Sequence, residues 1–189
     1  MRKNRFIAAA TGVAAALVLT ACGGGAPVDK PSAAAQSFND ADVTFATMMI
    51  PHHEQAVEMA ELAGTRASDA EIKDLAQKIK GAQDPEIQTM KGWLSAWGKP
   101  APSGGMSGMG HDMPGIMSAE DMKKLEVAEG TAFDRQFAEL MTAHHNGAIE
   151  MARTEQAQGA DPEAKALAKA IETAQQAEVA QMRKILDRL

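Results

Sequence analysis

A stretch of 53 residues occurs twice in this chain. Asp42 to Leu94 returns as Asp134 to Leu186 at a constant offset of 92, without a gap, and about 21 of the 53 positions are identical. Self-similarity on this scale means one supersecondary unit used twice. Apolar matches such as Leu75/Leu167, Ile79/Ile171 and Met90/Met182 recur at three- and four-residue spacing, the mark of an amphipathic helix. Aromatics make up only 4% of the chain and Tyr is absent, while Ala is abundant, which favours helix over sheet. Each copy therefore reads as a helical hairpin. The first helix should run from about Phe38 to Gly64 and the second from about Asp69 to Trp97, with Ser68 or Asp69 as N-cap and Glu71 in the first turn. The second copy offers Asp161 as cap and Pro162 at the first helical position. Pro51 and Pro85 fall inside helical patterns, where each costs a hydrogen bond and can kink its helix. One hairpin cannot bury its own apolar stripe. The expected fold is all-α, a four-helix bundle of two tandem hairpins with pseudo-twofold symmetry.

The N-terminus is read separately from the fold. Arg2, Lys3 and Arg5 precede an apolar run from Phe6 to Leu19 that ends in Leu19-Thr20-Ala21-Cys22. That run is shorter than the roughly 20 residues a spanning helix needs. It resembles the lipobox of bacterial lipoproteins, in which the Cys takes a diacylglyceryl group. Residues 1–21 are thus expected to be a lipoprotein signal peptide. Residues 22–37, with Cys22 as the lipidated residue and Gly23 to Gly25 behind it, should form a flexible tether. The bundle should occupy 38–189, with repeat 1 at about 38–98, a Met-rich loop at 99–117 and repeat 2 at about 118–189. Ser118 is placed to cap a short helix, with Asp121 at the capping-box position. The chain would be exported and lipid-anchored on the extracytoplasmic face of the bacterial cell membrane. A formal net charge of -6 argues against a nucleic-acid partner, which needs a basic surface.

The chemistry lies on the repeat. Phe45-Ala-Thr-Met-Met-Ile-Pro-His-His-Glu-Gln-Ala-Val-Glu-Met-Ala60 is echoed by Phe137-Ala-Glu-Leu-Met-Thr-Ala-His-His-Asn-Gly-Ala-Ile-Glu-Met-Ala152. At about 100° per residue, Met48, Met49 and Met59 lie within roughly 60° of His52 on one apolar face. His144, Met141 and Met151 take the same places in the second copy, with Leu140 replacing Met48. His53 and His145 sit on the flank, facing solvent or standing behind a first ring of ligands. Glu58 and Glu150 point the other way. Pseudo-symmetry should bring the two His/Met faces together. Thioethers suit Cu(I) or Ag(I), and imidazole suits copper in either state. A His/Met set without thiolate fits copper in an oxidising compartment. The loop adds Met106, Met109, His111, Met113 and Met117 as capture candidates. Met at helical spacing is also ordinary core filler, because it is apolar and adaptable.

The doubled pattern Phe-x-x-x-Met-x-x-His-His-x-x-Ala-x-x-Met-Ala resembles the exported bacterial domain-of-unknown-function family 305. Met113-Pro-Gly-Ile-Met117 and Phe133-Asp134-Arg135 share in the likeness, which covers about Phe38 to Leu189. The resemblance implies a ferritin-like four-helix bundle and, for some members, copper or silver binding. By position it implies Met48, Met49, His52, His53 and Met59 with Met141, His144, His145 and Met151 as ligands. The leading expectation is a non-enzymatic metal-binding lipoprotein that sequesters or transfers copper, with Cu(I) preferred and no organic cofactor. Its partners would be the metal ion and, through the lipid, the membrane; the sequence names no protein partner. A structural or partner-binding envelope bundle without metal is the alternative. A di-iron enzyme of the ferritin type needs Glu-x-x-His pairs, and Met49 and Met141 stand where those carboxylates belong. Hydrolysis has no candidate nucleophile.

Overall fold

The computed structural model describes residues 37–102 and 113–189, so the expected signal peptide, Cys22, most of the expected tether, and Met106, Met109 and His111 lie outside the described residues. Four long helices carry the fold: α1 (Asp40–Arg66), α2 (Ala70–Ala96), α4 (Gly130–Gln158) and α5 (Pro162–Leu186), with a short α3 (Ala119–Val127) between the hairpins. α1 packs on α2, α4 on α5, and the hairpins meet mainly through α1 and α4, with α2 touching α5. This is the expected four-helix bundle. Pro51 and Pro85 lie inside α1 and α2, and both helices continue through them. Among the described residues no helix is long and apolar enough to cross a membrane.

The helix starts follow capping chemistry. Asp69 accepts from the N–H groups of Glu71 and Ile72, and Asp161 accepts from those of Glu163 and Ala164, with Pro162 opening α5. Ser118 Oγ accepts from Asp121 N–H at the head of α3. Asn39 and Asp42 form a full capping box on α1. Asp42 does more than cap. It is fully buried and also accepts from the N–H groups of Ala160 and Asp161 in the α4–α5 turn. Its counterpart Asp134 takes the N–H groups of Ser68 and Asp69, and the Ser68 hydroxyl, in the α1–α2 turn. Each hairpin thus secures the turn of the other.

The core divides into two clusters that the repeat exchanges. Phe45, Met49, Met90 and Met151 belong to one. Their counterparts Phe137, Met141, Met182 and Met59 belong to the other. Full burial of such side chains is worth about 1.5–3 kcal/mol each. Exposed pairs such as Lys91–Glu54 at 2.7 Å contribute about 1 kcal/mol or less. Core packing therefore dominates. Nine residues are too few for α3 to hold itself as a helix; it is held by contact with α1 and α4 through Leu125, which is 0% exposed in the second cluster.

Candidate metal centre

His52 of α1 and His144 of α4 meet where the two hairpins join. Their ring centroids are 3.7 Å apart at an interplanar angle of 39°, and both side chains are 0% exposed. Burial, and then the neighbouring histidine rings, push His52 down to about 3 and His144 well below its ordinary value. Both are neutral at physiological pH, so each keeps a ring lone pair.

The hydrogen bonds say where those lone pairs lie. His52 Nε2 is 3.1 Å from the Pro114 carbonyl oxygen. A carbonyl only accepts, so Nε2 carries the hydrogen and Nδ1 is bare. His52 Nδ1 is buried with no partner, and neither nitrogen of His144 has one. A buried polar atom left unpaired costs about 1–3 kcal/mol, so three such atoms on two apposed rings call for an explanation.

His53 and His145 are also fully buried, which corrects the solvent-facing option for these flank positions. His53 Nε2 donates to Glu86 on α2 at 2.7 Å, and His145 Nε2 donates to Glu178 on α5 at 2.7 Å. Glu86 and Glu178 match at the repeat offset, a signal present in the sequence but given no role there. Each carboxylate orients its ring and leaves Nδ1, which again has no partner.

The thioethers do not gather at one point. Met49 and Met151 are buried in one cluster, with the half-buried Met48 against it, while Met59 and Met141 are buried in the other. Each set draws methionines from both copies of the repeat. Two of the loop candidates, Met113 and Met117, fall within the described residues. Met113 is only 6% exposed within the first cluster. Met117 is held by its backbone: its N–H donates to Gln55 Oε1 at 2.8 Å and its carbonyl accepts from Gln55 Nε2 at 3.0 Å. Residues 113–117 are therefore a strap seated on the bundle rather than a free capture loop. Gly147, the counterpart of Gln55, lets the strap pass on the other side. A Cβ there would lie 2.0 Å from the Pro114 oxygen. Gly115 adopts φ +74 against the α4 backbone, a conformation that glycine tolerates best.

Among the described residues, no three of His, Cys, Asp and Glu are grouped to hold a metal. An ion at the His52/His144 pair would have two imidazoles and would need softer or fewer ligands than zinc takes. Glu58 and Glu150 are exposed.

Comparison with known proteins agrees with the helical fold. The sequence profile described as Domain of unknown function (DUF305) matches residues 42–186. A DUF305 protein from Streptomyces coelicolor is 35% identical, with 78% of this chain and 93% of that one covered and a TM-score of 0.72. A DUF305 fragment from Deinococcus radiodurans is 30% identical over 80% of this chain and 98% of its own, also at 0.72. CopM in its Cu(II)-bound form is 35% identical over 78% of this chain and 96% of its own, at 0.69; that protein is also known in Cu(I)- and Ag-bound forms. No match was found among curated proteins. With its profile spanning both hairpins and the strap between them, the chain belongs to the DUF305 family.

Proposed function

We propose that this protein binds a soft metal cation, copper foremost, at the His52/His144 pair, and sequesters it or passes it on outside the cytoplasm. The observation that carries this reading is the pair of buried, neutral, closely apposed imidazoles with three ring nitrogens that lack any partner. A cation would satisfy lone pairs that the protein leaves bare. Two imidazoles with thioethers from either cluster suit Cu(I) or Ag(I) better than a hard or tetrahedral ion. The copper- and silver-bound forms of CopM lend support from a relative. His53 and His145, set by Glu86 and Glu178, stand behind the pair and offer Nδ1 if the ion draws them in. Such supporting carboxylates typically change metal affinity by about 10–100-fold. On this reading Cys22 carries a lipid that keeps the protein at the membrane, and Met106, Met109 and His111 capture the ion before the bundle holds it.

The test is anaerobic Cu(I) titration of the full chain against a competing chelator, beside His52→Ala/His144→Ala and a variant with Met106 and Met109 changed to Leu. The expected result is tight binding that the histidine variant loses. Loss in the loop variant alone would make the bundle a scaffold. No competitive binding by the parent would leave a structural, partner-binding bundle. That second reading draws on the His53–Glu86 and His145–Glu178 contacts, which are buried polar pairs of an ordinary structural kind.

A further inference from the structure

The two faces of the α1–α4 junction are related by the repeat, yet among the described residues only one is filled. On the filled face, Phe133, Leu140, Leu62 and Ala63 share a cluster with Leu125 and Met122 of α3. Their counterparts on the other face are Ala41, Met48, Thr154 and Glu155, and these line a cavity of about 480 Å³. Apolar residues on one side dock α3; smaller and more polar ones on the other leave a space.

That space has a particular chemistry. Met48 and Met151 line it from α1 and α4, the helices that carry His52 and His144. Asp40 and Glu150, both exposed and without a Lys or Arg partner among the described residues, stand on its lining, and Pro114, whose carbonyl accepts from His52, forms part of its wall. Among the described residues no Lys or Arg lines it. The cavity is thus negative, holds two soft sulfur donors, and adjoins the residue that touches His52.

We infer that this cavity is the port of the metal centre: a thioether site at Met48 and Met151 that receives a soft monovalent cation and relays it to His52 and His144. The inference rests on the reading of the histidine pair as a metal site. Thioethers bind such ions without a proton to displace, and negative clefts concentrate cations ahead of binding. The repeat-related route is closed by Leu125 and its neighbours, so exchange is one-sided.

The experiment is a titration of Ag(I) into the full chain in detergent, with the methionine methyl groups labelled with carbon-13 and followed by NMR. In the His52→Ala/His144→Ala variant, the Met48 and Met151 methyl signals should still move, ahead of those of Met59 and Met141. In Met48→Leu/Met151→Leu, Ag(I) should load the histidines about ten-fold more slowly than in the parent. Should the histidine variant fail to fold, the loading rate alone decides. Silver bound at the histidines with Met48 and Met151 silent, or loading at the parent rate in the double Leu variant, overturns the port and spares the metal centre. A parent that takes up no Ag(I) overturns both.

Discussion

Asp42 and Asp134 hold the same position in the two copies, and each carboxylate secures the turn of the opposite hairpin. Their surroundings differ. Asp134 receives the Ser68 hydroxyl in addition to two backbone N–H groups. Asp42 instead has the Glu155 carboxyl against it, where the first copy has Ala63. Glu155 is 1% exposed and no protein group donates to either of its oxygens. Burial, and then the Asp42 carboxylate beside it, push Glu155 up to about 8. Burial also works against ionised Asp42, but the N–H groups of Asn39, Asp161 and Ala160, with the Glu155 hydroxyl, hold it below its usual value. Gly159 makes the arrangement possible, since a Cβ there would lie 2.0 Å from Glu155 Oε1; the first copy has Ala67 at that place. Duplication therefore preserved the latch and let one version acquire a proton.

The sharpest way to break the comparison is to remove each latch. Asp134→Ala strands two backbone N–H groups and a hydroxyl, and should cost about 3 kcal/mol or more in urea unfolding. Asp42→Ala should cost about 1 kcal/mol less, because Glu155 is then free to ionise and accept the abandoned N–H groups. Equal losses would show that Glu155 does not oppose Asp42.

The strap provides a second contrast. Gly147→Ala drives a Cβ into the Pro114 carbonyl and should destabilise by about 2–3 kcal/mol. Gln55→Ala, which only frees the Met117 backbone, should lose about 1 kcal/mol. Thermal unfolding of both variants checks the ranking. The reverse order would mean that the clamp, and not the close approach, seats the strap.

The third effect is set by pH. Glu155 has a raised folded value, so the native protein holds a proton that the unfolded chain releases above about 4.5. Its favourable contribution is complete below that point and declines as pH rises towards about 8. The slope should be at most about 1.4 kcal/mol per pH unit. Metal-free protein unfolded in urea across this window should show the decline, and Glu155→Gln should flatten it. A parent profile with no slope attributable to Glu155 would contradict a protonated carboxyl at Asp42.

Much of this was legible in advance because it is local or repeated. The 92-residue offset announced two hairpins; Asp69, Asp161 and Ser118 marked helix starts; and the wheel placed His52 and His144 on inward faces. Helical periodicity reports which side of a helix is apolar, but it cannot report what meets that side. The flank histidines illustrate the limit. Their buried ring nitrogens are paired by Glu86 and Glu178, which lie 33 residues further along the chain. Met113 and Met117 looked like open ligands in a Gly- and Pro-rich loop, yet Gln55 and Gly147 draw their segment onto the bundle.

The sequence by itself determined a duplicated helical hairpin with an inward His/Met face, because capping residues and apolar spacing act within a few turns of one helix. Packing between distant segments made His52 and His144 meet, divided the thioethers between two clusters and, among the described residues, left one of two equivalent faces open. Those outcomes depend on contacts between residues far apart in the chain, where small exchanges such as Leu140 for Met48 or Glu155 for Ala63 decide what packs against what.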